Sequence, residues 1–287
     1  MPQVPKVFDR ALIARHLARR PQQNDDFVTR LALDDLGDRL QAVTRGFERA
    51  LIMAPDATPL PLLGLSGNGP FAFARAATVL PSPDAILVDP EALVLPHLDY
   101  DLIVSIFDVQ IVNDVPGFLT RVRTHLRPDG LLLAAVIGGM TLTELRQAFL
   151  EADAQLNGGA FARVAPFIQL GDSGSLLQRA GLKLPVTDVE THTVRYASPL
   201  ALMTELKALG ASNPLADRPS SPATRSLLAA ASVAYEAIAA DPDGRVRATL
   251  DIVWLSGWAA HESQQVPLKP GSAKLNLGRV LGDKSKR

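Results

Sequence analysis

What most constrains this chain is a succession of short apolar runs at residues 85–88, 102–106 and 131–137, punctuated by Pro and Gly, the last two separated by a helix-length stretch over 115–126. Short, continuously apolar runs suit strands covered on both faces, and helical spacers suit crossovers, so the pattern predicts a parallel sheet with right-handed connections. Upstream, Leu60, Leu62, Leu63 and Leu65 run into Ser66-Gly67-Asn68-Gly69 and then 71–80, which reads as strand, glycine turn and helix. Arg127-Pro128-Asp129-Gly130 is a turn leading into the 131–137 run. Downstream, 141–156 and a stretch stopping at Gly181 read as helices, and 189–196 as a strand. Helices at 200–209 and 224–240 flank a loop with Pro214, Pro219 and Pro222, and 246–254 alternates apolar with polar residues like a half-buried strand.

Before Pro55, the residues Phe27, Leu31, Leu36, Leu40, Val43, Phe47 and Leu51 recur at helical spacing. The chain therefore divides into an N-terminal helical segment, 1–56, and an α/β domain, 57–287, with helical insertions at about 141–180 and 198–240.

With 47% hydrophobic and 21% charged residues the chain has the composition of a globular protein. No Cys occurs, which excludes a disulfide framework, a thiolate nucleophile and Cys-held zinc or iron–sulfur clusters. The formal net charge of -1 offers no basic field for nucleic acid, and the clusters Arg15, Arg19, Arg20 and Lys284, Lys286, Arg287 read as solvated. No apolar run approaches the ~20 residues that cross a bilayer, and the N-terminus lacks the apolar core of a secretory signal. The histidines at 16, 97, 125, 192 and 261 form no H-E-x-x-H or H-x-H pair, so no metal is expected; His125 reads as an exposed cation at a helix end. Neither a G-x-S-x-G elbow nor a Walker A loop is present.

The glycine turn is the natural place for a cofactor, because ligands of open α/β sheets bind beyond the carboxyl ends of strands, where glycines let backbone approach. Only Gly67 and Gly69 stand there, a lone G-x-G that equally suits a tight turn with no ligand. His261-Glu262-Ser263 follows an apolar strand and either lines a cleft or caps the strand end.

Three passages resemble the fourth and fifth strand region of class I S-adenosylmethionine-dependent methyltransferases: Tyr100-Asp101-Leu102-Ile103-Val104-Ser105, Val112-Asn113-Asp114, and Leu126-Arg127-Pro128-Asp129-Gly130. More narrowly, Gly138-Gly139-Met140-Thr141-Leu142-Thr143-Glu144-Leu145-Arg146 and Gly257-Trp258 through His261-Glu262-Ser263-Gln264 resemble the methyltransferase-like assembly factor of respiratory complex I. Phe8-Asp9-Arg10 and Gly271-Ser272-Ala273 fit that family too, so the resemblance spans nearly the whole chain. It implies a Rossmann-like sheet with a helical N-terminus, a complex I subunit or assembly intermediate as partner, and a place in the cytoplasm of a bacterium or in the mitochondrial matrix. It also implies S-adenosylmethionine as cofactor, with Gly67, Gly69, Asp89 and Ser105 at the cofactor and Asn113, Asp114, His261 and Glu262 in the cleft. The mitochondrial relatives are associated with modification of an arginine, as hydroxylation rather than methylation.

The departures from that family bear on activity. Where the family's first strand ends in an acid and a G-x-G-x-G turn, this chain presents Leu63, Leu65, Gly67 and Gly69, and a Leu at 65 would project into the cofactor's space. Asp89 is either the acid after the second strand, which holds the ribose, or the one after the third, near adenine. Gln110-Ile111 stands where the family has His-Trp. Three readings follow: an active methyltransferase, a non-catalytic assembly protein with a degraded cofactor site, and a different small-molecule enzyme reusing the crevice. The second is preferred, with S-adenosylmethionine bound weakly or not at all. The stretch from Gly69 to Asp101 is also too short for two strands and two crossover helices, and Pro81, Pro83, Pro90 and Pro96 punctuate it. A sheet truncated at one edge is predicted, with a single short strand near 85–88.

Overall fold

The computed structural model describes residues 5–21, 26–56 and 58–265. Gly271-Ser272-Ala273, Lys284, Lys286 and Arg287 lie outside the described residues.

Eight strands form one mixed sheet. They are β1 (Ala50–Ala54), β2 (Leu63–Ser66), β3 (Gly69–Ala77), β4 (Ile86–Leu87), β5 (Tyr100–Ile106), β6 (Leu126–Ile137), β7 (Lys183–Tyr196) and β8 (Val246–Trp258). Their order is β2-β3-β1-β5-β6-β8-β7, with β4 pairing parallel to the far end of β3. Strands β1, β3, β5 and β6 are mutually parallel, and β8 runs antiparallel between β6 and β7. The helices are α1 (Arg10–Leu17), α2 (Phe27–Ala42), α3 (Val115–His125), α4 (Thr143–Asn157), α5 (Leu170–Arg179), α6 (Pro199–Ala208) and α7 (Arg225–Ala239).

Each sheet face has its own core. On one, Phe118, Leu119 and Val122 of α3 and Leu177 of α5 pack on Leu51, Ile103, Leu132 and Val253. On the other, Leu36 and Leu40 of α2 pack on Ile52, Val104, Leu133 and Trp254. A third cluster joins α4, α6 and α7 around Leu145, Leu202 and Tyr235, beside Val246 and Ala248 at the start of β8. Helix entries are set locally: Asp9, Asp26, Asp114, Ser198 and Thr224 each cap the helix that follows by accepting a backbone N–H.

The Rossmann-like fold and its truncated edge stand as the sequence implies. Between Pro81 and Asp101 there is only β4 and a single 3-10 turn at Pro90–Ala92, with no crossover helix. The N-terminal half of the sheet requires three corrections. The helical pattern attributed to 27–51 ends at Ala42, and Ala50–Ala54 is the first strand, buried along its whole length in the middle of the sheet. Its five residues (ALIMA) continue the apolar spacing of α2, so periodicity alone does not separate the two. Most of the segment 71–80, read as a helix, belongs to β3, which ends at Ala77 and in which Phe71 and Phe73 are buried and alternate with exposed Ala72 and Ala74. Finally, the expected strand-to-helix glycine turn is a β-hairpin: Ser66 pairs with Gly69 and Leu65 with Pro70, antiparallel. The chain thus returns from β1 to its parallel neighbour β3 through an antiparallel edge strand instead of a helix.

His125 is also corrected. It is buried, with Nε2 accepting from the Leu95 N–H at 3.3 Å and Nδ1 2.7 Å from the His97 carbonyl oxygen, so it fastens the loop before β5 and is not exposed.

Candidate functional site

The carboxyl ends of β1, β5 and β6 open into a cavity of about 900 Å³, bounded also by the end of β7 and the start of β8. This is the place where doubly wound sheets hold ligands, since the strand order reverses between β1 and β5. The walls are largely apolar: Ile106 and Ile137 form the floor, Leu145 and Phe149 of α4 one side, and Leu202 and Leu206 of α6 another. Inside, Arg20 is held between Asp26 (2.6 Å) and Asp56 (2.8 Å), all three side chains largely buried. Arg163 bonds Asp153 and lies over the ring of Phe149. That contact holds the Asp153 carboxyl below the usual range in spite of burial. Two wall residues, Phe107 (φ 61°) and Leu142 (φ 54°), adopt the left-handed conformation that side chains disfavour, a cost of about 1–3 kcal/mol each that clusters at functional sites.

Beside the cavity, at the ends of β3, β4 and β5, the chain's own N-terminal strap covers the sheet. Asn113 Oδ1 accepts from the N–H groups of both Val7 and Phe8 at 2.8 Å, and Phe8 bridges Leu215. Arg10 donates to the Thr78 carbonyl at 3.0 Å and approaches Asp89 at 3.8 Å. Under the strap, Asp108 is completely buried and accepts the hydroxyls of Thr78 and of Ser105, the latter at 2.8 Å. Burial pushes its carboxyl up to about 7, against the pull of those hydroxyls and of the Arg10 charge.

The sequence directly after β1, residues 55–58, includes no glycine. Its Pro55 carbonyl accepts from both Val79 and Leu80, tying it to the loop after β3. Asp56 is spent on Arg20 and on its own turn, accepting the Thr58 N–H at 3.0 Å.

Of the residues singled out in the sequence, Asp89, Ser105, Asn113 and Asp114 come to this end of the sheet. Asp89 follows β4, outside β3, which corresponds to the third-strand position of its two readings; the residues directly after β3, 78–83, include no acid, and Asp84 beyond them pairs with Arg75. Asn113 clamps the strap and is itself bonded by Glu91, while Asp114 caps α3. Gln110 holds the end of β6 through the Ile137 N–H at 2.9 Å. The other four are displaced. Gly67 and Gly69 sit at the start of β3, and since β3 runs parallel to β1 this is the amino end of the sheet, opposite the cavity. Gly67 suits that turn, because an added Cβ would crowd the Gln41 and Val43 carbonyls at 3.0 and 3.1 Å. His261 and Glu262 also lie at the amino end, because β8 is antiparallel and finishes opposite Leu131; His261 Nδ1 is 2.7 Å from its neighbour Ser263. They cap that end of the strand and line no part of the cavity. Arg10, Thr78 and Asp108 were missed. The signal for Asp108 is an acid placed directly after the apolar run 102–106, at a strand's carboxyl end.

Among the described residues no group of three or more His, Asp or Glu could hold a metal, and no helix is long and apolar enough to cross a membrane.

The strand order, the antiparallel β8 and the crevice at the carboxyl ends define a class I methyltransferase fold. No family model matches the chain. It is nevertheless 31% identical over 293 residues to the human mitochondrial arginine-hydroxylase NDUFAF5, a match covering 97% of this chain and 84% of the human protein. The chain belongs to this family of methyltransferase-like complex I assembly factors. The Danio rerio arginine-hydroxylase NDUFAF5 is 34% identical over 192 residues, 67% of this chain and 60% of that protein. The match to the Dictyostelium discoideum protein spans 42% of its length, so the chain covers less than two thirds of several of these relatives. A malonyl-[acyl-carrier protein] O-methyltransferase of Halorhodospira halophila is 32% identical over 247 residues, covering 85% of this chain and 79% of the enzyme.

Proposed function

We propose that this chain is a methyltransferase-fold assembly protein with a degraded S-adenosylmethionine site, acting on a respiratory complex I subunit or assembly intermediate by binding rather than by methyl transfer. The observation that carries the reading is the end of β1. A sulfonium cofactor needs backbone approach at this point, and the chain offers Pro55 and an Asp56 already engaged by Arg20. Three further features support it: β2 and not a helix follows β1, no acid stands directly after β3, and the strap engages Asn113 and brings Arg10 towards Asp89. The residues present therefore do not fit the cofactor. Losing two hydrogen bonds to a charged, polyhydroxyl ligand, at about 1.5–3 kcal/mol each, weakens binding by roughly two to four decades.

The partner is taken from the family, as is a place wherever complex I is assembled, the bacterial cytoplasm or the mitochondrial matrix. Calorimetric titration with S-adenosylmethionine tests the cofactor half, and no saturable binding tighter than about 10 μM is expected. A lower dissociation constant overturns it in favour of an active methyltransferase or arginine-modifying enzyme. Affinity capture from native extract tests the partner half: complex I subunits should be enriched over an unrelated bait.

A further inference from the structure

The cavity is larger than structural padding requires. Its volume, about 900 Å³, lies near the top of the ~300–1,000 Å³ range of small-molecule sites, and its walls are mostly aliphatic and aromatic side chains. The carboxylates that line it, Asp26 and Asp56, are consumed by the buried Arg20. His16 in the same wall has a buried Nδ1 with no partner, and burial holds its imidazole below the usual range, so it adds no cation near neutral pH. The charged side chains inside are paired with one another or with neighbours, and, among the described residues, unpaired charge stands at the mouth. The exposed members of the lining are Arg19 at the end of α1, Lys207 in the last turn of α6, and Ala211, Pro222 and Ala223 on the loops beside them. Arg19 and Lys207 make no ion pair among the described residues, and no exposed carboxylate stands in the lining with them. A largely apolar interior behind a two-cation rim suits a molecule with an apolar body and an anionic head.

We propose that this cavity binds an amphiphile, with its aliphatic chain between the carboxyl ends of β5 and β6 and the helices α4 and α6, and its anionic head at Arg19 and Lys207. The chain would be held by burial of apolar surface, which is non-directional and tolerant of length. The head would stay at the rim, where cation and anion both keep part of their hydration and neither bears a full desolvation cost. The strained backbone of Phe107 and Leu142 shapes this same wall. A carboxylate and a phosphate head fit the rim equally, so a free long-chain acid and a phospholipid-derived lipid share the required chemistry. The proposal goes beyond the assembly-protein reading and does not depend on it.

The test is displacement of fluorescent cis-parinarate from the full-length protein by palmitate, palmitoyl lysophosphatidate, hexadecanol and S-adenosylhomocysteine. Palmitate is expected to displace the probe at one site, with hexadecanol about tenfold weaker. The double variant Arg19→Glu/Lys207→Glu should weaken palmitate about tenfold and leave hexadecanol unchanged, the size of two exposed ion pairs. Met203→Trp, which fills the cavity from α6, should abolish probe uptake; Leu228→Trp, from α7, replaces it if the unfolding curve shows that the first variant does not fold. A preference above tenfold for lysophosphatidate assigns a phosphate head, and the reverse assigns a free acid. Uptake undiminished by a folded cavity-filling variant, equal affinity for hexadecanol and palmitate, or displacement by S-adenosylhomocysteine each overturns the proposal. Tight S-adenosylmethionine binding that leaves parinarate in place would remove the assembly-protein reading and leave this one standing.

Discussion

The two halves of the sheet obey different rules. From β5 through β6 to the β8–β7 pair, strands are long, β5 is buried at every residue, and α3 and α5 cover one face in the ordinary doubly wound manner. From β1 outward, the helix that should connect parallel neighbours is replaced by β2, the third strand is reduced to Ile86–Leu87, and Leu63, Leu87 and Val94 stand exposed. The ends of the first strands, where doubly wound sheets bring backbone up to a nucleoside cofactor, belong to this second half. The first half holds the hydrophobic core in common with α3 and α5, so the second can be remodelled without loss of the fold. In its place stands a polar anchorage, strap to Asn113 and Arg10 to Thr78, over a buried acid.

The largest expected effect concerns that acid. An unfolded Asp titrates near 3.9, whereas burial pushes Asp108 up to about 7. Between those values the folded protein holds a proton that the unfolded chain has released. This group's contribution to stability is therefore greatest at acid pH, falls as pH rises from about 4 to 7, and is level above that. Three pKa units set a ceiling on the order of 4 kcal/mol. Asp108→Asn keeps the shape and, with one hydroxyl turned to accept, both hydrogen bonds. Urea unfolding at pH 5 and pH 8 should show the variant gaining on the wild type with rising pH. Asp9, Asp129 and Asp153, whose carboxyls are held low, give the opposite slope in both proteins and cancel in the difference. A pH-independent difference would mean that Asp108 is ionised in the fold and that the remodelled half is held by charge.

A smaller effect is expected at the clamp. Asn113→Ala removes the acceptor shared by the Val7 and Phe8 N–H groups, a local loss of about 1–3 kcal/mol. Hydrogen exchange should quicken at Phe8 and through α1 while β5 and β6 remain protected, because the cores on the sheet faces do not involve the strap. S-adenosylmethionine binding should stay undetectable in this variant. Micromolar affinity on releasing the strap would make the strap the block and leave the end of β1 competent.

The half with the ordinary doubly wound architecture was also the more legible. The strand runs 102–106, 131–137, 189–196 and 246–254 and the helices between them lie within a few residues of the observed elements, because their periodicities are unmixed and Pro or Gly ends them. The truncated edge was legible from chain length and prolines. What failed was register at the start of the sheet. Ala50–Ala54 shares its apolar spacing with α2, and Ala, Arg and Leu in 71–80 favour a helix intrinsically even though Phe71 and Phe73 alternate. Asn68-Gly69 was the available hairpin signal, outweighed by the expectation that a helix follows a glycine turn. The cavity and its rim were illegible because α1, α4, α6 and a proline loop meet there only in three dimensions.

The smallest effect is expected where the sequence pointed most directly. A leucine at position 65 in place of a glycine looked like an obstruction to the cofactor. In the fold, Leu65 is paired with Pro70 on an edge strand, 52% exposed, at the amino end of the sheet and so across its whole height from the cavity. Its contribution to the core is slight, and an exposed substitution away from caps and buried partners usually changes stability by no more than about 0.5 kcal/mol. Leu65→Lys should therefore melt within a few degrees of the wild type, and the added charge should reduce self-association through the open edge. Leu65→Gly should lower stability by at most about 1 kcal/mol through backbone entropy and leave the S-adenosylmethionine titration as flat as before. If that one glycine restored saturable binding, the turn at 66–69 would have to lie at the carboxyl end of the sheet. The remodelled half would then be an ordinary cofactor half closed by a single side chain.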